Sequence, residues 1–194
     1  IDLSPRFQRR DAWQAERKSR FVESLILNFP VPQIVLAERK GMRNQYIVLD
    51  GKQRLTALLK FSGKAQEQEP EPLNGFSLTN LQVLTHLNGK TYSDFVNDDS
   101  LVRELTDLHN QTIRTVVVRN WEDDAALHMI FVRLNTSSVP LSPQELRQAL
   151  YPGAFANFID DHSYDSGALR SFMGLDHADF RMRDVELLLR FLAF

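Results

Sequence analysis

An apolar β-type run, Tyr46-Ile47-Val48-Leu49, leads through Asp50 and Gly51 straight into Lys52-Gln53-Arg54-Leu55-Thr56-Ala57-Leu58. A strand that passes into an amphipathic helix across a single glycine points to an α/β arrangement at the front of the chain. The same stretch sets a carboxylate, a flexible backbone and several hydrogen-bond donors at a helix N-terminus. There the first-turn N–H groups and the positive end of the helix dipole favour an anion, typically phosphate. The expectation is a phosphate-handling site.

Length and composition bound what surrounds that site. A chain of 194 residues fits one domain, or one domain with a helical appendage. Hydrophobic residues make up 43% and charged residues 25%, so a sizeable core is within reach. The net charge of -2 excludes a polycation that coats nucleic acid, and any nucleic-acid role must rest on a local patch. There is no cysteine, which excludes disulfides and thiolate metal sites and suits a cytoplasmic protein. No apolar run reaches transmembrane length, so no membrane partner is expected. The opening Ile1 and the apolar ending Phe191-Leu192-Ala193-Phe194 suggest a piece of something longer.

Along the chain, Asp2 to Gln14 reads as an irregular arm with Arg6, Arg9, Arg10 and Trp13. Phe21, Val22, Leu25, Ile26 and Phe29 recur at helical spacing, predicting a helix over residues 15–28. Phe29-Pro30-Val31-Pro32 ends it, because a residue before proline is pushed out of the α region. Strands follow at Gln33 to Ala37 and Gln45 to Leu49, joined by Arg39 to Asn44 with Gly41. The helix after Gly51 is expected to carry Leu55, Leu58 and Leu59 inward and to end near Ser62-Gly63.

The polar, proline-containing residues 64–75 read as a surface excursion. Leu-Asn-Gly occurs at Leu73 and at Leu87, which marks turns rather than a repeat. A short helix is expected around Leu101, Val102, Leu105 and Leu108, and a β-branched strand over Thr112 to Arg119. A helix over Glu122 to Leu134 would place Ala125, Ala126, Met129, Ile130 and Leu134 at core spacing. Ser142-Pro143-Gln144-Glu145 is a helix start: Ser142 as cap, Pro143 in the first position, Glu145 as the reciprocal capping residue. The remainder reads as helices and loops.

Taken alone, Asp50-Gly51-Lys52-Gln53-Arg54 has two readings. In one it is a strand-to-helix turn, with Gly51 at positive φ, Asp50 as a cap and the basic residues solvated. In the other Gly51 lets backbone approach a ligand, Arg54 forks onto phosphate, Gln53 orients a water or a phosphate, and Asp50 holds Mg²⁺ or accepts a proton. It is not a Walker loop, since the glycine spacing and the Lys-Ser/Thr pair are missing. Phe7-Gln8-Arg9-Arg10 with Trp13 is either a basic arm at that site or a surface segment pinned by its aromatic. Asn135, after Phe131-Val132-Arg133-Leu134, is either a site residue or a helix stop.

The order and spacing of these pieces resemble the N-terminal domain of GmrSD-type, modification-dependent restriction endonucleases. The matching pieces are Gln8-Arg9 … Trp13, Phe29-Pro30-Val31-Pro32, Asp50-Gly51-Lys52-Gln53-Arg54 against the family's Asp-Gly-Gln-Gln-Arg, and Phe131 … Asn135 … Leu141-Ser142 … Glu145-Leu146-Arg147. The resemblance implies a ParB/sulfiredoxin-like α/β fold, a small mixed sheet with helices, over residues 1–150. A helical extension over 151–194 would continue into a region beyond this chain.

The resemblance further implies nucleotide binding, Mg²⁺-dependent NTP hydrolysis and service in anti-phage DNA restriction, sensing modified DNA or gating a nuclease. DNA and a nuclease domain or subunit are then the implied partners, and an oligomer is possible. Carried over residue by residue, Asp50, Gln53 and Arg54 form the catalytic set, with Asp50 also the metal ligand. Gln8, Arg9, Gly51, Lys52 and Asn135 complete the nucleotide site. Lys52 departs from the family's usual Gln, which either strengthens phosphate binding or marks a changed activity.

The other constellations are bland. His86, His109, His128, His162 and His177 are scattered without ligand spacing, so zinc is not expected. His109-Asn110 reads as a helix end, and no His-Asn-His nuclease site is visible. Asp98-Asp99, Asp123-Asp124 and Asp160-Asp161 read as solvated helix-start residues. Two rival functions remain: a non-hydrolysing module binding DNA backbone or a modified base through Arg6, Arg9 and Arg10, and a regulatory scaffold docked to a nuclease region.

Overall fold

The computed structural model describes residues 13–63, 75–135, 142–150, 153–179 and 181–193. The expected surface excursion, the arm through residue 12 and the Leu73 turn lie outside the described residues. Strand β1 (Ile34–Glu38) and strand β2 (Tyr46–Asp50) form a hairpin. Its seven-residue connection is too short for a parallel crossover, and the Arg39 N–H donates to the Gln45 carbonyl at 2.8 Å. Strand β3 (Thr115–Val118) joins the other side of β1, giving the order β2-β1-β3. The Ile34 N–H donates to the Arg114 carbonyl at 2.9 Å, so β1 and β3 start together and run parallel. The sheet is therefore mixed and the fold is α/β.

Nine α-helices lie among the described residues. They are α1 (Ala15–Ile26), α2 (Lys52–Ser62), α3 (Tyr92–Asn97), α4 (Val102–Asn110), α5 (Asp124–Asn135), α6 (Pro143–Leu150), α7 (Ala154–Asp165), α8 (Gly167–Met173) and α9 (Arg183–Ala193). The chain folds as two compact units, neither continuous in sequence. One holds Trp13–Val35 and Gly51–Val116; the other holds Leu36–Asp50 and the chain from Val117 onward.

In the first unit α1 packs on α2 and α4, as its apolar spacing requires. Val22 and Ile26 meet Phe61, Leu78, Leu81, Leu87, Phe95 and Leu101 in one cluster. Phe61 lies edge-on to Tyr92 and Phe95, with ring centroids 5.8 and 5.7 Å away. A second cluster joins Phe21, Leu25 and Ala57 to Trp13, Val31, Leu58, Leu108 and Ile113. The buried carboxylate of Glu23 accepts the N–H groups of Gln82, Val83 and Leu84 at 3.3, 2.9 and 2.8 Å. That pins to α1 a loop with no ladder of its own.

In the second unit α5 packs against β2 and α6, and α9 packs against α6, α7 and α8. Ile159, Met182 and Val185 form its C-terminal core. The capping box at α6 is present: Ser142 Oγ accepts the Glu145 N–H at 3.1 Å and Glu145 Oε2 accepts the Ser142 N–H at 2.5 Å.

Two helix faces differ from the spacing-based expectation. On α2 the buried residues are Gln53, Thr56, Ala57 and Phe61, while Leu55, Leu58 and Leu59 are half-buried. Gln53 and Thr56 lie on the inward face because Phe61, one to two turns later on that stripe, anchors the core. Among the described side chains of α5, Leu127 and Phe131 are buried, and Ala125 and Met129 are exposed. Small Ala and flexible Met tolerate water, whereas the Leu and Phe four apart bury the larger area. Helix α3, absent from the spacing-based expectation, starts at a capping box of Thr91 and Asp94 that the sequence spells as Thr-Tyr-Ser-Asp.

Candidate functional site

Gly51 is the cap residue of α2 and sits at φ 96° and ψ 9°, a left-handed conformation that costs an ordinary L-residue strain. Asp50, which closes β2, is therefore not the cap; the turn is made by a residue without a side chain. Gly51 is also crowded. A Cβ there would lie 3.0 Å from Ile34 Cγ1 and 3.1 Å from Arg54 Nη2. The glycine is thus required twice, by backbone conformation and by the guanidinium folded over it.

Arg54 occupies the third helical position of α2, and its Nη2 donates to the Gln33 carbonyl at 3.0 Å. That bond ties the guanidinium to the residue ahead of β1, and its Nη2 and Nε lie 3.1 and 3.4 Å from where a Cβ of residue 51 would be. A guanidinium is the kind of group that matches planar or tetrahedral oxyanions with two parallel donors, which a lysine ammonium cannot do. Lys52 stands half-buried in the first helical position. The two cations and the positive end of the α2 dipole fall within one helical turn, where they act in the same sense on an anion.

Gln53, between them, faces inward. It is 7% exposed, and its Oε1 accepts the Trp13 N–H at 3.1 Å. Trp13 is itself held: Phe21 meets it edge-on at 5.7 Å and the Arg17 guanidinium lies 4.9 Å from its ring centre. Trp13 packs into the protein, while residues 7–10 of the same sequence segment lie outside the described residues.

Gly51, Gln53 and Arg54 thus belong to one arrangement with Trp13, Gln33 and Ile34. Asp50 precedes Gly51 directly in the chain. Asn135 is the last residue of α5, in the other unit. Gln8 and Arg9 lie outside the described residues. Sequence reasoning missed Gln33, and no signal could have found it, because it contributes only a backbone carbonyl.

Elsewhere, His109-Asn110 and two of the acidic doublets fall where the sequence reading placed them, and one doublet does not. His109-Asn110 ends α4. Asp98 caps a 3-10 turn, and Asp123 accepts the Ala126 N–H at 2.8 Å ahead of α5. Asp160-Asp161 instead lies inside α7 rather than at a helix start. Among the described residues no group of three or more His, Asp or Glu side chains could hold a metal ion by itself, and no helix is long and apolar enough to cross a membrane.

Neither the curated proteins nor the solved structures gave a match to this chain. The sequence does match, over residues 1–152, the family described as GmrSD restriction endonuclease, N-terminal domain. With that match covering more than half of its length, the chain belongs to the GmrSD restriction endonuclease N-terminal domain family.

Proposed function

We propose that this domain binds a nucleoside triphosphate at the start of α2 and hydrolyses it with Mg²⁺, as the nucleotide-dependent part of a prokaryotic anti-phage restriction protein. The observation that carries the reading is Arg54, tied to the Gln33 carbonyl and laid over a left-handed Gly51 at a helix N-terminus. Such an arrangement suits the β- or γ-phosphate: charge of the right sign is fixed in place before the ligand arrives.

The residues fit a magnesium ion that arrives with the nucleotide and not a free-standing metal site. Mg²⁺ is held through one or two carboxylates together with substrate phosphates, and the signature supplies one carboxylate, Asp50. Bound there, the ion would neutralise phosphate charge and polarise the transferred group. On this reading Arg54 binds and orients the phosphate, Lys52 adds charge beside it, and Asp50 holds the metal or accepts the proton of the attacking water. DNA, modified or not, and a nuclease domain or subunit are the partners the reading requires.

Titrating the purified chain with each NTP and Mg²⁺, with and without DNA, tests it. Saturable phosphate release supports hydrolysis. Nucleotide binding without release favours a non-hydrolysing module, and no nucleotide binding at all refutes the proposal.

A further inference from the structure

Two consecutive residues of the first turn of α2 are tied to distant parts of the chain. Gln53 Oε1 accepts the Trp13 N–H, 40 residues away in sequence, just ahead of α1. Arg54 Nη2 donates to Gln33, just ahead of β1. Trp13 in turn packs in the cluster that contains Ala57, one turn further along α2. The first turn of a helix frays most readily, because its N–H groups have no intrahelical acceptors. These ties hold that turn in place from both sides.

We propose that Gln53 is a positioning residue, acting through the backbone of Trp13 to fix the first turn of α2, rather than a group that meets the attacking water. The inference rests on the phosphate-binding reading above and deepens it: the anion-facing end of α2 and Arg54 are preset by a clamp to the segment ahead of α1. Burial to 7% exposure and a carbonyl engaged by a peptide N–H are what a clamp needs. A water-orienting amide would have to reach solvent-delivered water, from which this side chain is almost wholly excluded.

Gln53→Leu and Gln53→Glu test this in a Trp121→Phe background, which leaves Trp13 as the sole indole of the two in the chain. Gln53→Leu removes the acceptor, and should red-shift Trp13 emission and raise KM for Mg-NTP about tenfold while kcat stays within about threefold. Gln53→Glu keeps an acceptor at the same reach and should keep the wild-type emission. A fall in kcat of about 100-fold or more with KM and emission unchanged would place Gln53 on the reacting atoms and overturn the clamp. Unchanged emission in Gln53→Leu would overturn it as well. If the wild-type chain hydrolyses no nucleotide, the proposed function fails separately. Affinity for inorganic tripolyphosphate then decides the clamp: weakened binding in Gln53→Leu supports it, equal binding refutes it.

Discussion

The Arg54 guanidinium donates to the Gln33 backbone carbonyl at 3.0 Å, and that bond holds a charged fork over the glycine that opens α2. Removing the fork should abolish the proposed NTP hydrolysis without unfolding the domain. Arg54→Ala is expected to lower kcat/KM for Mg-NTP by about 100-fold or more, and Arg54→Lys to recover little of it, since an ammonium cannot reproduce the planar, bidentate geometry. Steady-state phosphate release checks both, with circular dichroism to confirm the fold; unchanged turnover removes Arg54 from the mechanism.

Gly51→Ala should damage stability and anion binding together. The added methyl meets left-handed strain at φ 96° and contacts of 3.0 Å to Ile34 and 3.1 Å to Arg54. Strain of this kind costs about 1–3 kcal/mol, readable as a lower denaturant midpoint. Displacing the guanidinium should also weaken tripolyphosphate binding in calorimetry. Equal affinity would show that Arg54 does not need its seat on Gly51.

Glu23→Gln is expected to destabilise the domain by about 2 kcal/mol, because charge-assisted bonds to backbone are stronger than neutral ones. The carboxylate serves three successive N–H groups of residues 82–84, and an amide presents one oxygen where two are used. Urea unfolding measures the change. A loss below about 0.5 kcal/mol would mean that solvent replaces the carboxylate at that loop.

Acid should erode stability through three aspartates. Hydrogen bonds from the Thr91 backbone and hydroxyl hold Asp94 below its ordinary 3.8. Bonds from the Ser100 hydroxyl and backbone hold Asp98 below its ordinary value as well. Burial pushes Asp179 up, but the Arg183 side chain and the N–H groups of Arg181 and Arg183 outweigh it and leave it low. A carboxylate depressed in the folded state stabilises the fold above its unfolded value and loses that contribution as pH falls through the folded value. Stability should therefore be level in these groups above about pH 5 and decline below about pH 4. Asp179→Asn should flatten part of that decline in a series of urea titrations; an identical slope would exclude Asp179 from it.

Gln148→Met should leave stability unchanged or raise it slightly. The Gln148 side chain is 3% exposed and its Oε1 has no hydrogen-bond partner among the described residues, so an unbranched apolar chain of similar length removes a desolvated acceptor without opening a cavity. A melting temperature several degrees lower would reveal a buried water or donor at that oxygen.

Local chemistry made much of this protein legible from its residues. The strand-glycine-helix passage at 46–62, the end of α1 before Pro30 and Pro32, and the Ser142–Glu145 capping box each depend on neighbours a few positions apart. Periodicity and capping encode them directly. The family resemblance, carried by short motifs in order, is confirmed by the match over residues 1–152.

Tertiary structure decided which face of α2 turns inward. Three leucines suggested one stripe, yet Gln53 and Thr56 are buried instead. A glutamine can be buried only where a donor meets it, and its donor, the Trp13 N–H, comes from 40 residues away. The seat of Arg54 is hidden for the same reason: a peptide carbonyl at Gln33 has no side-chain signature, so only the folded chain brings the two together.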